Sequence, residues 1–124
     1  MKIKIAVLSE ALVVCTLSGE LSIFDEDFDV FQKEVMAYLK LGIYRFIVDL
    51  DEISYIDSSG IGVIIRLATN AMKKETLVCV ICNQPHVKRV FCVANVDRIM
   101  KFVDTVDEGV AFFERTTGFV NNGK

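Results

Sequence analysis

Apolar and polar residues alternate from Ile3 to Leu8, break at Ser9-Glu10, and resume as a β-type run from Leu12 to Leu17. Two strands joined so tightly pair antiparallel, so the chain opens with a hairpin. Ser18-Gly19-Glu20 reads as the turn that leaves it. Asp25, Glu26 and Asp27 then gather negative charge where a helix start favours it. Phe28, Phe31, Val35, Tyr38 and Leu39 recur at helical spacing, and Gly42 suits the left-handed position beyond that helix. Tyr44 to Leu50 is short, β-branched and aromatic, which predicts a buried third strand. Ile61, Ile64, Ile65, Ala68 and Met72 define the face of a second helix over roughly 60–74, closed by Lys73-Lys74 at the negative end of its dipole.

Leu77 to Cys82 is unbroken apolar sequence, the mark of a strand covered on both faces. Pro85 fits the first position of a third helix carrying Val87, Val90, Phe91 and Ala94, with Asn95 as a left-handed cap. Arg98 to Val103 predicts a last strand, and Thr105-x-x-Glu108 is a capping box for a fourth helix with Val106, Val110 and Phe113 on its inner face. Gly118 is expected to stop that helix, leaving a frayed tail over 119–124. Gly109 interrupts it at a cost of up to about 1 kcal/mol against alanine, and the pattern offers no reason for it. The whole predicts one α/β domain over 1–118, with a mixed sheet of about five strands, largely parallel after the hairpin, and about four helices.

Composition narrows the chemistry. The 124 residues are 52% hydrophobic and 25% charged, an ordinary globular balance. A formal net charge of -3 with only scattered basic pairs argues against nucleic-acid binding. No apolar run is long enough to span a membrane, and the alternating N-terminus predicts a strand rather than a signal peptide. Cys15, Cys79, Cys82 and Cys92 all lie in apolar surroundings and are expected to be buried, reduced thiols of a cytoplasmic protein. Cys79 and Cys82 fall three apart in a strand and so point to opposite faces, which excludes joint metal ligation.

Ligands on such sheets bind beyond the carboxyl ends of the strands. Asp49, Asp51, Asp57, Ser58 and Ser59 are expected just past strand three, and Asn83 and Gln84 follow strand four. Enzymatic readings fare badly there. A nucleophilic serine needs a base, and His86 is the one histidine, at the start of helix three. No phosphate-binding Gly-x-x-x-x-Gly-Lys loop is present. The carboxylates at 49, 51 and 57 could chelate magnesium, but the plainer reading has two of them solvating a strand end and Asp57 capping a helix. A phospho-aspartate receiver would need an acidic pair ending the first strand, where residues 5–9 carry no acid. The expectation is a non-enzyme with no cofactor and no metal.

Asp57-Ser58-Ser59-Gly60 sets capping residues at a strand-to-helix junction, with Gly60 and Gly62 leaving the first turn nearly bare. Two hydroxyls therefore stand at the positive end of a helix dipole. Asp57-Ser-Ser-Gly-Ile-Gly-Val-Ile-Ile65 resembles the signature of the bacterial anti-sigma factor antagonists, the STAS domains. Gly19-Glu20-Leu21 resembles that family's opening turn. Val80 to Val87 resembles its strand, turn and proline-started helix, and Phe102-Val103 with Asp107, Glu108 and Ala111 its closing elements. The likeness runs over roughly residues 3 to 116.

The resemblance implies a transcription regulator that binds an anti-sigma factor and so releases a sigma factor. It implies a phosphoacceptor at Ser59, with Ser58 as the backup, phosphorylated by the anti-sigma factor acting as a serine kinase and reset by a phosphatase. Position favours the same serine: Ser59 directly precedes the two-glycine turn, while Ser58 is expected to turn inward and cap. The partner surface is expected to include Asp25, Asp57, Ser58, Ser59, Gly60, Ile61, Gly62, Asn83 and Gln84, on a monomer or weak oligomer. One departure stands out: the family commonly has Asp after its Gly-x-Leu turn, and this chain has Ser22. The rival within the same fold is an unswitched STAS scaffold subunit of a larger signalling complex, in which the serines are plain caps.

Overall fold

Five strands lie in chain order across one sheet: β1 (Lys2–Ser9), β2 (Leu12–Leu21), β3 (Arg45–Ile56), β4 (Val78–Ile81) and β5 (Met100–Val103). β1 and β2 pair antiparallel, and every later neighbour pairs parallel. The structure, a computed structural model, describes the backbone of residues 1–9 and 11–123 and the side chains of that range as far as Arg115. Helices α1 (Phe28–Lys40), α2 (Ser58–Lys73) and α3 (Pro85–Val93) each connect two parallel strands, and α4 (Val106–Gly123) closes the chain.

Each parallel crossover steps the same way across the sheet, so crossovers of one hand place α1, α2 and α3 on one face. Period-two alternation supplies that face with Val13, Cys15 and Leu17 from β2, Phe46, Val48 and Leu50 from β3, and Val78 and Val80 from β4. Phe28, Phe31, Ile64, Leu67, Val87 and Phe91 pack down onto them from the helices. The alternate residues Leu12, Val14, Ile47, Cys79 and Ile81 face the other way, under Phe113 of α4. Cys79 and Cys82 thus belong to cores on opposite sides of the sheet. Full burial of each large aliphatic or aromatic side chain contributes about 1.5–3 kcal/mol, so this two-sided core is what holds the sheet edge in place.

Three helices end in the same way. Ile43 N–H donates to Tyr38 and Gly42 to Leu39, Thr76 to Ala71 and Glu75 to Met72, Val96 to Phe91 and Asn95 to Cys92. The turning residue is left-handed each time: Gly42 (φ 88°), Glu75 (φ 62°) and Asn95 (φ 64°). Gly42 and Asn95 match the sequence expectation; Glu75 is a residue type that rarely adopts this conformation.

The structure corrects several boundaries. Ser18-Gly19-Glu20 is not a turn out of the hairpin. β2 continues through it to Leu21, with Gly19 at φ 101° and a shift of register against β3. Its partner runs on as well, so Asp49 and Asp51 lie within β3 rather than past its end. A polar pair such as Ser18 and Glu52 reads as loop in sequence, yet the parallel ladder satisfies the backbone there. Arg98 and Ile99 belong to a single 3₁₀ turn, Asp97–Ile99, before β5. Gly118 does not end α4, which reaches Gly123, because a lone glycine weakens a helix without breaking it. Gly109 now has a packing reason: a Cβ there would sit 2.8 Å from Ile47 Cδ1, so its bareness lets α4 settle on β3. Cys92 is exposed, unlike the other three cysteines. Ile65 is only half-buried and Met72 is 47% exposed; Val63, Leu67 and Ala71 complete the buried face of α2 instead.

Candidate functional site

Leu21 and Ile56, the last residues of β2 and β3, are register partners, so two connections leave the sheet side by side. Asp57 follows Ile56 with extended backbone (φ -107°, ψ -177°), the geometry that swings an N-cap side chain back over the helix start. Its Oδ1 accepts from the Gly60 N–H at 2.9 Å. Its Oδ2 accepts from the Ser22 hydroxyl at 2.9 Å and from the Ile23 N–H at 3.1 Å. Ser22, only 2% exposed, also accepts from the Phe24 N–H at 3.1 Å. One carboxylate thus caps α2 and ties the β2–α1 connection to it. Burial pushes the Asp57 carboxyl up, but the hydrogen bonds from Gly60, Ser22, Ile23 and Ser59 together outweigh it and hold the carboxyl below its usual range.

The two glycines of the first turn differ. Gly60 is buried, and a Cβ there would lie 2.4 Å from the Leu21 carbonyl oxygen. Only glycine allows α2 to start this close to β2. Gly62 is exposed, with nothing within 4 Å of an added Cβ.

Ser59 is half-buried at a cleft of about 220 Å³ between α1 and α2. Phe28, Met36 and Ile23 wall one side; Gly62 and Arg66 continue the α2 side. Among the described residues the Ser59 hydroxyl has no hydrogen-bond partner. Ser58 is exposed and does not cap, contrary to expectation, because Asp57 holds the N-cap and Ser58, one residue on, points outward. A larger cleft, about 320 Å³, lies by Leu8, Leu12, Arg45 and Phe113. It lacks any of the residues at the carboxyl ends of the parallel strands, where such sheets bind ligands.

The remaining predicted residues divide. Gly60 and Ile61 (5% exposed) face the core and cannot offer side chains to a partner. Asp25 receives the N-terminal ammonium at 2.7 Å. That bond, with the Asp27 N–H, holds its carboxyl below the usual range. Asn83 donates from its backbone N–H and its Nδ2 to the Asp51 carboxylate at 2.7 and 3.0 Å, and Gln84 Nε2 donates to the Asp51 carbonyl. These two fasten the β4–α3 connection to β3. His86 Nε2 donates to the Ser54 carbonyl at 3.0 Å. Burial raises the Cys15 and Cys79 thiols to about 12, so neither is a nucleophile near neutral pH.

Sequence reading missed three residues at or near the site. Phe24 is 93% exposed and Ile23 55% exposed, side by side on the loop that Asp57 holds. An apolar pair set between Ser22 and three acids, on no periodic face, was the available signal. The third is Arg66, which lines the cleft beside Ser59.

Comparison with known proteins agrees with this architecture. The family model for the STAS domain matches residues 3–109. A Thermotoga neapolitana protein named as a candidate anti-sigma factor antagonist is 28% identical over 102 residues, covering 82% of this chain and 88% of that one. The crystal structure of a Thermotoga maritima protein of the same description aligns with a TM-score of 0.73 at 27% identity, covering 89% of this chain and 91% of the other. The anti-sigma factor antagonist SpoIIAA in its unphosphorylated form aligns at 0.75 and 19% identity, over 94% and 97%. SpoIIAA in its phosphorylated form aligns at 0.69 and 18%, over 89% and 97%. With the five-stranded mixed sheet, the capped Asp-Ser-Ser-Gly junction and a match across most of its length, the chain belongs to the STAS domain family.

Proposed function

We propose that this chain is an anti-sigma factor antagonist, switched off by phosphorylation of Ser59. The observation that carries the reading is the unpartnered, half-exposed Ser59 hydroxyl on the first turn of α2, in one cleft with the exposed Ile23, whose chain neighbour Phe24 is also exposed. An apolar surface with a phosphorylatable group at its edge is one that a single phosphate can close. The phosphate brings about -1.5 to -2 charges. Asp57 is already ionised next to it, and like charge set against a docked partner costs several kcal/mol. The names of the Thermotoga relatives and the two phosphorylation forms of SpoIIAA support the reading. The protein acts by binding, in the cytoplasm, and the anti-sigma factor supplies the kinase.

The partner surface is centred on Ser59, Ser58, Gly62, Ile23 and Phe24. Asn83 and Gln84, held by Asp51, support its rim. The test is incubation with the cognate anti-sigma kinase and ATP, followed by mass spectrometry of the tryptic fragment. Phosphate on Ser59, and none on the Ser59→Ala protein, is expected. Phosphate on Ser58 would overturn the assignment, and no labelling by any encoded kinase is the result a scaffold subunit would give.

A further inference from the structure

Ser59, Gly62 and Arg66 lie three and four residues apart along α2, and all three line the same cleft. Such spacing stacks them on one helix face. Ser59 and Arg66 are separated by about 10 Å along the axis, at 1.5 Å per residue. Long helical side chains reach toward the N-terminal turn, so Ser59 lies on the side that Arg66 can reach once it leaves Met36. Gly62 stands between them with no side chain, and a Cβ added there would meet nothing within 4 Å, an open lane.

Arg66 is held only lightly. Its Nη1 rests on Met36 Sδ at 3.5 Å, a weak acceptor, and it pairs with no carboxylate among the described residues. Every other residue lining the cleft is uncharged, including those from α1. The usual place for an anion, the helix start, is taken: Asp57 Oδ1 already accepts from Gly60, and the Ile61 N–H donates to the Asp57 carbonyl at 3.0 Å. A phosphate on Ser59 is therefore repelled at the cap and drawn down the lane.

We propose that Arg66 is the internal counter-ion of a phosphate on Ser59, leaving Met36 to clasp it along the Gly62 lane. The guanidinium donates paired N–H bonds to phosphate oxygens, a geometry lysine cannot reproduce. This rests on Ser59 being the phosphoacceptor, and it adds what the phosphate does next: it lies along the α1–α2 cleft instead of projecting freely, presenting a phosphatase with an arginine-bound ester.

The test uses the full chain with phosphoserine incorporated at position 59 during synthesis, so no kinase is needed. The second phosphate pKa, ordinarily about 6, is read by ³¹P NMR titration. It is expected at least about half a unit lower in the otherwise wild-type chain than in Arg66→Gln, because a cation favours the dianion. Asp57 is present in both proteins, so its opposing effect cancels. Arg66→Lys should restore part of the difference. The Arg66 Nε–H signal should shift on phosphorylation in the wild type, and Gly62→Leu should abolish that shift with Arg66 intact. Equal phosphate pKa values in the wild type and Arg66→Gln, or an Arg66 signal indifferent to the phosphate, would overturn the proposal. Either failure leaves the kinase-labelling result on Ser59 untouched, so the two readings fail separately.

Discussion

Replacing Asp57 with alanine removes the carboxylate that joins both halves of the site. Three hydrogen bonds go with it: those from Gly60 N, Ser22 Oγ and Ile23 N. Their losses are unequal. The Ile23 N–H is exposed, and water replaces its partner at little cost. The missing N-cap costs about 1 kcal/mol. The Ser22 hydroxyl is buried and loses its acceptor, a penalty of about 1–2 kcal/mol. Asp57→Ala should therefore destabilise the protein by about 2–3 kcal/mol, against a typical total of about 5–15 kcal/mol. The variant stays folded, and urea unfolding at neutral pH followed by circular dichroism should show a lower midpoint with an unchanged slope. The folded carboxyl is held below its unfolded value, so its contribution is present above the unfolded pKa and is lost as pH falls through the folded one. The gap between wild type and variant should accordingly narrow as the pH falls from neutral through the unfolded and then the folded pKa of Asp57. A loss below about 0.5 kcal/mol at neutral pH, or strict additivity with Ser22→Ala in a double-mutant cycle, would refute this account of Asp57 as a shared anchor.

The two first-turn glycines should behave oppositely. Gly60→Ala drives a Cβ into the Leu21 carbonyl and should cost about 3 kcal/mol, whereas Gly62→Ala meets open space and should stabilise by up to about 1 kcal/mol through helix propensity; paired urea titrations check both. Glu75→Gly relieves a left-handed non-glycine at the end of α2 and should raise the melting temperature by roughly 3–5 °C by calorimetry. Phe24→Ala should leave the melting temperature nearly unchanged, since the ring is exposed, while weakening binding to the anti-sigma factor at least about tenfold by titration calorimetry.

What sequence could reveal here follows from which forces are local. Strand alternation is set by the backbone, so Val13, Cys15 and Leu17 could be assigned to one face and Leu12 and Val14 to the other before any contact was seen. The N-cap at Asp57 is likewise local, needing only an acceptor before an apolar helical run. The overrun of β2 and β3 was not legible. Its stability comes from pairing two polar segments distant in sequence, such as Ser18 with Glu52, and no single segment shows that. Nor could the motif's glycines be told apart: Gly60 is required by the Leu21 carbonyl and Gly62 is not, and Leu21 is far away in sequence. Ile61 misled for a related reason. It sits within the motif but turns to the core, so spacing in the motif marked a helix start and not a surface.

Ser22 shows how the site's chemistry is coupled. A carboxylate at that position would face the Asp57 carboxylate across a hydrogen-bond distance, and two such groups cannot both stay ionised cheaply. With serine, the pair becomes donor and acceptor, Asp57 stays ionised, and the loop bearing Ile23 and Phe24 is fixed to the start of α2. The anchor does not involve the Ser59 hydroxyl. Phosphorylation can therefore proceed without dismantling the cap or disturbing the core, where Ile64, Leu67 and Ala68 are fully buried. On the proposed reading the new charge would land instead on the boundary between an ionised carboxylate and an apolar pair that must be dried for a partner to dock. Drying a dianion costs far more than drying a hydroxyl, so the proposed switch would lose binding while keeping the fold. In the proposed switch the phosphate would act through its own solvation, and the rigidity of the Asp57 anchor would keep the fold from absorbing the change.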